Sequence, residues 1–364
     1  MQITDVDTYT LQVPLEREVG DSRLSITDCY WIIVELETDD GTVGTGWMGS
    51  LGFAPELLAR FIDDQFTQLL LDRNPFETAA IAADLRRQTI YYGELGMSAW
   101  PRSAIDVALW DIKAKAADQP LYRLLGGSES RVRAYASSMD ARHDVNELAD
   151  LHGQYIEDGF TAVKSKLGNR SFEEEEARVA QVRKGIGPDA ELFIDANQAW
   201  TEKETLQLAD RLASYDIGWI EEPIREFDEP AHGRLANRLS TRLATGEMFY
   251  RPERFQRFLE SGGVDIVQPD LIRAGGVSGQ LEIATMAARY GIPMASHYYY
   301  AVSAHVVGAA SNGLIVEYIP EYDIAPVLAE PPTIEAGEIV LPDRPGHGYR
   351  IDPDARAEYE TTFE

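Results

Sequence analysis

Ionisable residues recur at the ends of short apolar runs in the second half of the sequence. An unpaired charge inside an apolar sheet is costly, so these positions point to chemistry rather than to packing. From Lys166 onwards the residues are separated by 20 to 29 positions, a spacing that accommodates one strand, one helix and two loops. The series consists of Lys164, Lys166, Asp195, Glu221, Glu247, Asp270, His297 and Glu317. Parallel strands direct their carboxyl ends to one side, so we expect these side chains to share a cavity.

The first three carboxylates of this series, Asp195, Glu221 and Glu247, lie on successive runs. Three unpaired carboxylates in one cavity would repel one another, and a divalent cation is the simplest way to remove that repulsion. Hard oxygen ligands suit Mg²⁺, with Mn²⁺ as the alternative. The spacing therefore predicts a magnesium site.

Basic and acid–base groups flank the three carboxylates. Lys164 and Lys166 are two residues apart on a strand, so both ammonium groups leave the same face. Each should lower the pKa of the other, which predicts a general base that works near neutral pH. Asp270 would fix the tautomer of His297 and stabilise its cation, which gives a second acid–base group. Glu317 is left to contact substrate oxygens.

The combination of a metal ion with a lysine base and a histidine predicts removal of a proton α to a carboxylate. The enediolate formed in this reaction carries negative charge on two oxygens, and the metal stabilises that charge where it develops. Dehydration of a hydroxy acid and racemisation both begin with this step. A barrel that binds metal and ligand without turnover is a third alternative.

Alternating apolar runs and amphipathic helices must position these groups. With a strand near residues 131–136 the repeat has eight strands, which predicts a closed (β/α)₈ barrel, an α/β fold. Before it, the sequence predicts strands at Thr8–Val13, Tyr30–Glu37 and Thr42–Trp47 and a helix at Pro101–Ala117. After about residue 325 the repeat gives way to a proline-rich tail. We therefore divide the chain into a capping domain (1–125), a catalytic barrel (126–325) and a tail that packs back on the capping domain (326–364).

An ordered set of short motifs accompanies these residues. It comprises Lys164-Ser165-Lys166, Asp195-Ala196-Asn197, Glu221-Glu222-Pro223, Gly246-Glu247, Gln268-Pro269-Asp270, Ser296-His297, Ala108-Leu109-Trp110-Asp111, Leu125-Gly126-Gly127 and Leu341-Pro342-Asp343. In this order the set resembles the mandelate racemase subgroup of the enolase superfamily, over nearly all of the chain. The resemblance implies an α+β N-terminal domain whose loops close the barrel mouth, and homo-oligomers, often octamers.

The resemblance also implies roles for individual residues. Lys166 would be the base and Lys164 would contact the substrate carboxylate. The three acids would bind Mg²⁺, and His297 with Asp270 would act from the opposite face of the substrate. From their positions in the sequence rather than from the resemblance, we expect Asn197, beside the metal ligands, and Tyr298, beside the histidine, to contact the substrate.

The predicted capping loop at residues 15–24 is the best indication of the substrate. It is polar and contains Arg17 and Arg23, which suits a hydroxylated acid better than an aromatic one. Phe53 in a second loop is a further candidate contact. We therefore predict an acid-sugar dehydratase in which Lys166 removes the α-proton and His297 protonates the departing β-hydroxyl. A racemase or epimerase of a 2-hydroxy acid is the alternative.

Composition excludes several other classes of function. With 61 acidic and 33 basic residues the formal net charge is −28, which argues against nucleic acid or an anionic membrane as partner. A small carboxylate substrate is the expected partner. Carboxylate-rich, lysine-poor surfaces suit concentrated salt, so we predict a halophilic protein. The single Cys29 and the lack of a basic, apolar leader at residues 1–11 predict a reducing, cytoplasmic location. The G-x-G-x-x-G match at residues 44–49 lies in predicted antiparallel strands, which is unlike a dinucleotide site.

Overall fold

The computed structural model describes residues 1–21, 25–52 and 54–363, with the side chains at positions 16, 17 and 25 outside the description. The N-terminal part forms an antiparallel sheet from three long strands that follow one another. These are β1 (Ile3–Gly20), β2 (Ser25–Thr38) and β3 (Val43–Ser50). Thr38-Asp39-Asp40-Gly41 forms the turn between the second and third strands, and Gly41 takes a positive φ of 81° there. The three predicted strands are confirmed, and each is longer than its apolar pattern.

Helices pack on one face of this sheet. They are α1 (Pro55–Phe61), α2 (Thr67–Leu70), α3 (Thr78–Thr89), α4 (Ala99–Ala116) and α5 (Leu121–Leu124), with a π-helical turn at Ile62–Phe66 and a 3₁₀ turn at Gly96–Ser98. The helix predicted at residues 101–117 is α4. Backbone oxygens of Ala104 and Ala108 lie where a side chain on Gly46 or Gly44 would project, so these glycines let α4 approach β3 closely.

Eight parallel strands form a closed barrel in the order in which they occur along the chain. They are β4 (Arg131–Ser137), β5 (Ala162–Lys166), β6 (Glu191–Asp195), β7 (Ile217–Glu221), β8 (Arg242–Thr245), β9 (Ile266–Val267), β10 (Met294–Ser296) and β11 (Gly313–Tyr318). Pairing of β11 with β4 closes the barrel. The predicted fold class, a (β/α)₈ barrel with an α+β capping domain, is confirmed.

Helices between the strands cover the outside of the barrel. They are α6 (Leu148–Glu157), α7 (Phe172–Ile186), α8 (Glu202–Leu212), α9 (Glu229–Ala236), α10 (Pro252–Ser261), α11 (Leu271–Ala274), α12 (Gly276–Arg289) and α13 (Tyr300–Ala309), with a 3₁₀ turn at Ala213–Tyr215. Capping boxes start α7 at Ser171 and α8 at Thr201.

One side chain from each barrel strand fills the interior. The eight are Tyr135, Ala162, Phe193, Trp219, Ala244, Ile266, Ala295 and Ile315, all buried. Phe193 and Trp219 stack with ring centroids 3.4 Å apart. This layer is a packed core rather than a pore, so the polar strand ends face a cavity that is closed below.

The residues after the barrel divide between both parts of the molecule. Strands β12 (Thr333–Glu335) and β13 (Glu338–Val340) form a hairpin, and β13 pairs antiparallel with β4. Helix α14 (Pro353–Tyr359) leads to β14 (Glu360–Thr361), which pairs with β1. Two 3₁₀ turns, Pro320–Tyr322 and Ala325–Val327, precede them. The hairpin was not foreseen, because its two strands are too short to show alternation.

Two buried histidines join the capping domain, the barrel and the tail. His305 in α13 accepts a hydrogen bond from the amide of Tyr122 at 3.2 Å and donates one to the carbonyl of His347 at 3.1 Å. His347 in turn donates to the carbonyl of Thr45 at 2.8 Å. Burial is the main cause that lowers the pKa of His305 to about 3. Both rings therefore serve as neutral structural links rather than as catalytic groups.

We expect His305 to make the stability of the protein depend on pH. Its folded-state pKa lies below the value of about 6.5 for a free histidine, so the unfolded chain binds the proton more readily. The free energy of unfolding therefore keeps its full value above about pH 6.5. It decreases as the pH is lowered further, by about 3 kcal/mol at pH 4. His305→Gln, which keeps an acceptor and a donor, should flatten this part of the profile in urea titrations. Equal pH slopes for the two proteins would contradict the assignment.

Candidate active site

Three carboxylates lie together at the carboxyl end of the barrel. Asp195 ends β6, Glu221 ends β7, and Glu247 follows β8. One oxygen from each lies within 4.8 Å of the others, and all three residues are buried. Gly246 lets the chain turn there, because its φ is 139° and a side chain would meet the ring of Phe255. The structure thus brings together the three residues that the sequence indicated as metal ligands.

Neighbouring donors fix the orientation of two of these carboxylates. Asp195 accepts hydrogen bonds from the backbone amide of Asn197 at 2.8 Å and from its side chain at 3.2 Å. Glu221 accepts from Gln268 at 2.7 Å and from the indole of Trp219 at 3.1 Å. These hydrogen bonds fix the orientation of the carboxylates of Asp195 and Glu221 whether or not a cation is bound.

The two lysines of β5 occupy different positions relative to the carboxylates. The Nζ of Lys164 contacts Glu221, and it lies 2.7 Å from Glu317 and 3.5 Å from Asp195. It is fully buried beneath the cavity. The Nζ of Lys166 lies 2.6 Å from Asp195, and this residue lines the cavity. Lys164 therefore neutralises the carboxylate cluster from below, whereas Lys166 is placed to meet a ligand.

Electrostatics at the lysines differ from the expectation of mutually lowered pKa values. Burial lowers the pKa of Lys166, but the surrounding carboxylates, Asp195 foremost, together raise it by more, so the net pKa lies above the usual range. Lys164 also has a raised pKa, since the surrounding acidic groups, Glu221 foremost, together outweigh its burial. The effect of one lysine on the other is present but smaller. The expected lowering thus depends on a cation that neutralises Asp195.

His297 and Asp270 form a hydrogen-bonded pair on the other side of the cavity. The Nδ1–H of His297 donates to Asp270 at 2.8 Å, and Nε2 faces Glu247 at 3.3 Å. Asp270 also accepts from the amides of Ile272 and Arg273, both at 2.9 Å, which caps α11. Burial lowers the pKa of His297, but Glu247 and Asp270 raise it by more, and the net pKa is raised. Such a histidine is well suited to act as a proton donor.

The chemistry of the donor set fits a divalent metal ion. An octahedral Mg²⁺ with ligands at about 2.1 Å has neighbouring oxygens about 3 Å apart and opposite ones about 4.2 Å apart. The three carboxylate oxygens, all within 4.8 Å, need to close only slightly. The side-chain oxygen of Asn197 is buried and has no hydrogen-bond partner among the described residues, so it is open to a ligand in the cavity. Asp195, Glu221 and Glu247 are therefore the residues that would hold the ion.

A cavity of about 180 Å³ lies above this cluster, between the barrel and the capping domain. Capping-domain residues form one wall, namely Val19, Asp21, Ile26, Gly49, Ser50, Leu51 and Trp100. The barrel contributes Met139, Lys166, Asn197, Glu247, Asp270, Ile272, Arg273, His297, Tyr298, Tyr299, Ile319 and Tyr322. Apolar walls with a few convergent polar groups are typical of a small-molecule site.

Two of the five predicted substrate contacts line the cavity, and the side chains of the other three lie outside the described part of the structure. Asn197 and Tyr298 line the cavity, but the hydroxyl of Tyr298 donates to the carbonyl of Tyr322 at 2.6 Å, so the ring rather than the hydroxyl faces a ligand. Arg23, Phe53 and the side chain of Arg17 lie outside the described residues. Their roles stay predictions.

Sequence reasoning missed several residues of the cavity wall. Asp21 and Trp100 come from the capping domain, and Arg273 lies three residues after Asp270 on a short helix. The guanidinium of Arg273 donates to the carbonyl of Glu247 at 3.1 Å and lies 3.6 Å from Asp270. The position of Arg273 one helical turn after a candidate acid was the available signal. Asp21 lies in the predicted capping loop but was not chosen as a contact, and nothing in the sequence marked Trp100.

The backbone is strained directly after the site residues. Asn197 and Gln198 take φ values of 43° and 66°, and Tyr298 and Tyr299 take 45° and 43°. Side chains other than glycine rarely adopt this region, and such strain concentrates at functional sites. Two of these residues, Asn197 and Tyr298, line the cavity.

Comparison with known proteins agrees with this geometry. Residues 5–126 match the N-terminal domain described as "Mandelate racemase / muconate lactonizing enzyme", and residues 147–355 match the domain described as "Enolase C-terminal domain-like". The chain belongs to this family of the enolase superfamily. The resemblance noted in the sequence motifs is confirmed, and the protein is an enzyme of this superfamily.

Individual relatives of this family member differ in their activities. It is 32% identical to an arabinonate dehydratase from Saccharolobus solfataricus, over 90% of both chains. It is 34% identical to a D-galactarolactone cycloisomerase from Agrobacterium fabrum, over 99% of both chains. Among solved structures, a racemase from Streptomyces coelicolor with bound magnesium superposes with a TM-score of 0.94 at 27% identity, covering 99% of this chain and 100% of that one.

Within the part of the chain that the structure describes, every helix is too short or too polar to cross a bilayer.

Proposed function

We propose that this protein dehydrates a sugar acid to a 2-keto-3-deoxy acid. The single observation that carries the proposal is the placement of a base and a proton donor on nearly opposite strands of the barrel. Lys166 ends β5 and His297 follows β10, three strands apart in one direction and five in the other. Both line the same cavity above the carboxylates. A substrate bound between them exposes one face of its carbon chain to each.

The reaction follows from this placement. With its carboxylate at the cluster, the substrate presents its α-carbon to Lys166, whose neutral amine takes the α-proton. His297, charged and held by Asp270, donates the Nε2 proton to the β-hydroxyl, which leaves as water. The enol that remains tautomerises to the 2-keto acid. When bound, Mg²⁺ supplies positive charge that stabilises the enediolate oxygens. Closure of the capping domain over the cavity excludes bulk water from these steps.

We expect His297→Asn to separate the two proton transfers. Loss of the donor should slow dehydration by about 10²- to 10⁴-fold. Exchange of the α-proton should continue, because Lys166 remains. The experiment incubates a panel of mono- and diacid sugars with Mg²⁺ in D₂O and high salt, and follows 2-keto acid and deuterium in recovered substrate.

His305→Gln serves as the matched control, because His305 is buried but lies away from the cavity. It should dehydrate substrate at the wild-type rate. Equal dehydration by His297→Asn and wild type would overturn the assignment of the donor. Solvent deuterium in recovered substrate of inverted configuration, without 2-keto acid, would identify a racemase instead.

Cycloisomerisation is a second candidate, favoured by the 34% identity to the galactarolactone cycloisomerase over 99% of both chains. It would use the same α-proton chemistry, but the molecule would lose no water. Mass spectrometry of the product decides between the two. A dehydratase product is lighter than its substrate by one water, whereas a cycloisomerase product keeps the mass of the substrate.

A further inference from the structure

Asp140 is a fully buried carboxylate that the proposed reaction leaves unassigned. It lies in the loop between β4 and α6, with no exposed surface. A buried charge is costly unless it is well paired and hydrogen-bonded. The partners of Asp140 therefore indicate why the fold retains it.

Donors surround both oxygens of this carboxylate. Oδ1 accepts from the backbone amide of Lys166 at 2.8 Å. Oδ2 accepts from the hydroxyl of Ser165 at 2.6 Å and from Nε2 of His152 at 2.8 Å. The guanidinium of Arg178 lies 3.7 Å away. Burial raises the pKa of Asp140, but His152 and Arg178 lower it by more, so the group is held ionised.

The hydrogen bond to Lys166 replaces a missing part of the sheet. Pairing between β4 and β5 ends at Ser137 and Lys164, and the last ladder bond runs from the amide of Ser138 to the carbonyl of Lys164. The amide of Lys166 points to the same edge, because alternate residues of a strand bond to the same neighbour. The chain of β4 has turned away there, and the side chain of Asp140 accepts the hydrogen bond in its place.

We propose that Asp140 is a positioning residue for Lys166. By fixing the backbone of Lys166, its carboxylate places Nζ 2.6 Å from Asp195 and at the wall of the cavity. The hydroxyl of Ser165 donates to the same carboxylate, so Asp140 holds two successive residues of β5. The proposal rests on the proposed function only in taking Lys166 as the base.

The same residue is linked to the capping domain. The backbone of Asp140 pairs with that of Gly20 at the end of β1. The next residue, Asp21, lines the cavity. The loop that contains Asp140 therefore contacts both β5, which carries Lys166, and β1 of the capping domain. This one loop fixes the positions of the two strands relative to each other.

The test compares Asp140→Ala with Asp265→Ala in the Mg²⁺-loaded enzyme. Asp265 is the matched control, because it also accepts a strand amide, that of Leu243, at 2.8 Å, but at the opposite end of the barrel. We expect Asp140→Ala to lower kcat about 100-fold with KM changed less than about threefold, since a misplacement of about 1 Å costs that much. Asp140→Asn keeps an acceptor for the amide of Lys166 but replaces the oxygen that accepts from Ser165 and His152, so it should restore kcat only in part and leave Lys166 partly displaced. Asp265→Ala should lower Tm and leave kcat per folded molecule unchanged.

A second readout does not depend on activity. The chain has six lysines, so spectra of protein with ¹³C-labelled lysine side chains contain few signals, and Lys166→Met identifies one of them. Asp140→Asn should move the Lys166 signal, and Asp265→Asn should not. This readout decides the matter if Asp140→Ala does not fold. An unmoved signal, or an unchanged kcat in Asp140→Ala, overturns the proposal. Absence of any turnover in the wild type would defeat the proposed function but leave this readout intact.

Discussion

Replacing Lys166 with methionine is expected to reduce turnover by about 10²- to 10⁴-fold, the usual contribution of a positioned general base. Methionine has a similar length but cannot take a proton, and its side chain can still fill the wall of the cavity. Steady-state kinetics on the best sugar acid, together with α-proton exchange in D₂O, measure the effect. Both reactions should be lost, in contrast to His297→Asn, which should retain exchange.

Lys203→Met is the control for this variant, since Lys203 is exposed on α8. It should match the wild type in both measurements. Binding of Mg²⁺ should persist in Lys166→Met, because the variant removes a positive charge next to Asp195 and leaves the three carboxylates in place. Turnover within threefold of wild type would exclude Lys166 as the base.

Loss of one carboxylate of the cluster is expected to abolish metal binding and turnover together. Glu221→Gln should weaken Mg²⁺ binding by more than about 100-fold, because changes to groups that only support ligands already cost about 10- to 100-fold. Thermal unfolding measures this: a ligand present at about 100 times its Kd stabilises the folded state by about 2.7 kcal/mol. Mg²⁺ should raise Tm in the wild type and leave Tm of the variant unchanged.

Glu260→Gln, an exposed change on α10, provides the comparison and should keep the full response to Mg²⁺. Chelation of the wild type should stop turnover, and added Mg²⁺ should restore it. A wild-type protein that turns over substrate in excess chelator would refute the assignment of the cluster. Mn²⁺ in place of Mg²⁺ tests the alternative ion in the same assay.

The spacing of ionisable residues was sufficient to predict the barrel and the convergence of its strand ends. Each carboxylate of the cluster ends an apolar run or follows it within three residues, and a period of 20 to 29 residues allows few other arrangements. The metal-ligand geometry follows from this regularity. The local sequence pattern was therefore enough to predict the features that depend only on the order of the strands.

Contacts that depend on loop conformation could not be predicted in the same way. Asp140 reaches Lys166 only because β4 turns away at its end, and Lys164 lies beneath the cavity because three carboxylates surround it. Sequence reasoning compared the lysines with each other and with a metal ion, and it did not foresee how closely Asp195 approaches Lys166. Distances in the folded structure decide which neighbouring charge has the largest effect on the pKa of each lysine. The spacing of residues along the sequence does not give those distances.

The pairing of β14 with β1 has a consequence for how the protein is made. Thr361 and Glu360 lie against Thr10 and Leu11, so the sheet of the capping domain obtains this outer strand only after the whole barrel has been synthesised. Until translation has passed the whole barrel, that edge of β1 is open to pairing with other nascent chains. A slow, late step in folding is expected from contacts this distant in sequence. Chaperones would be needed most for chains whose synthesis stalls within the barrel.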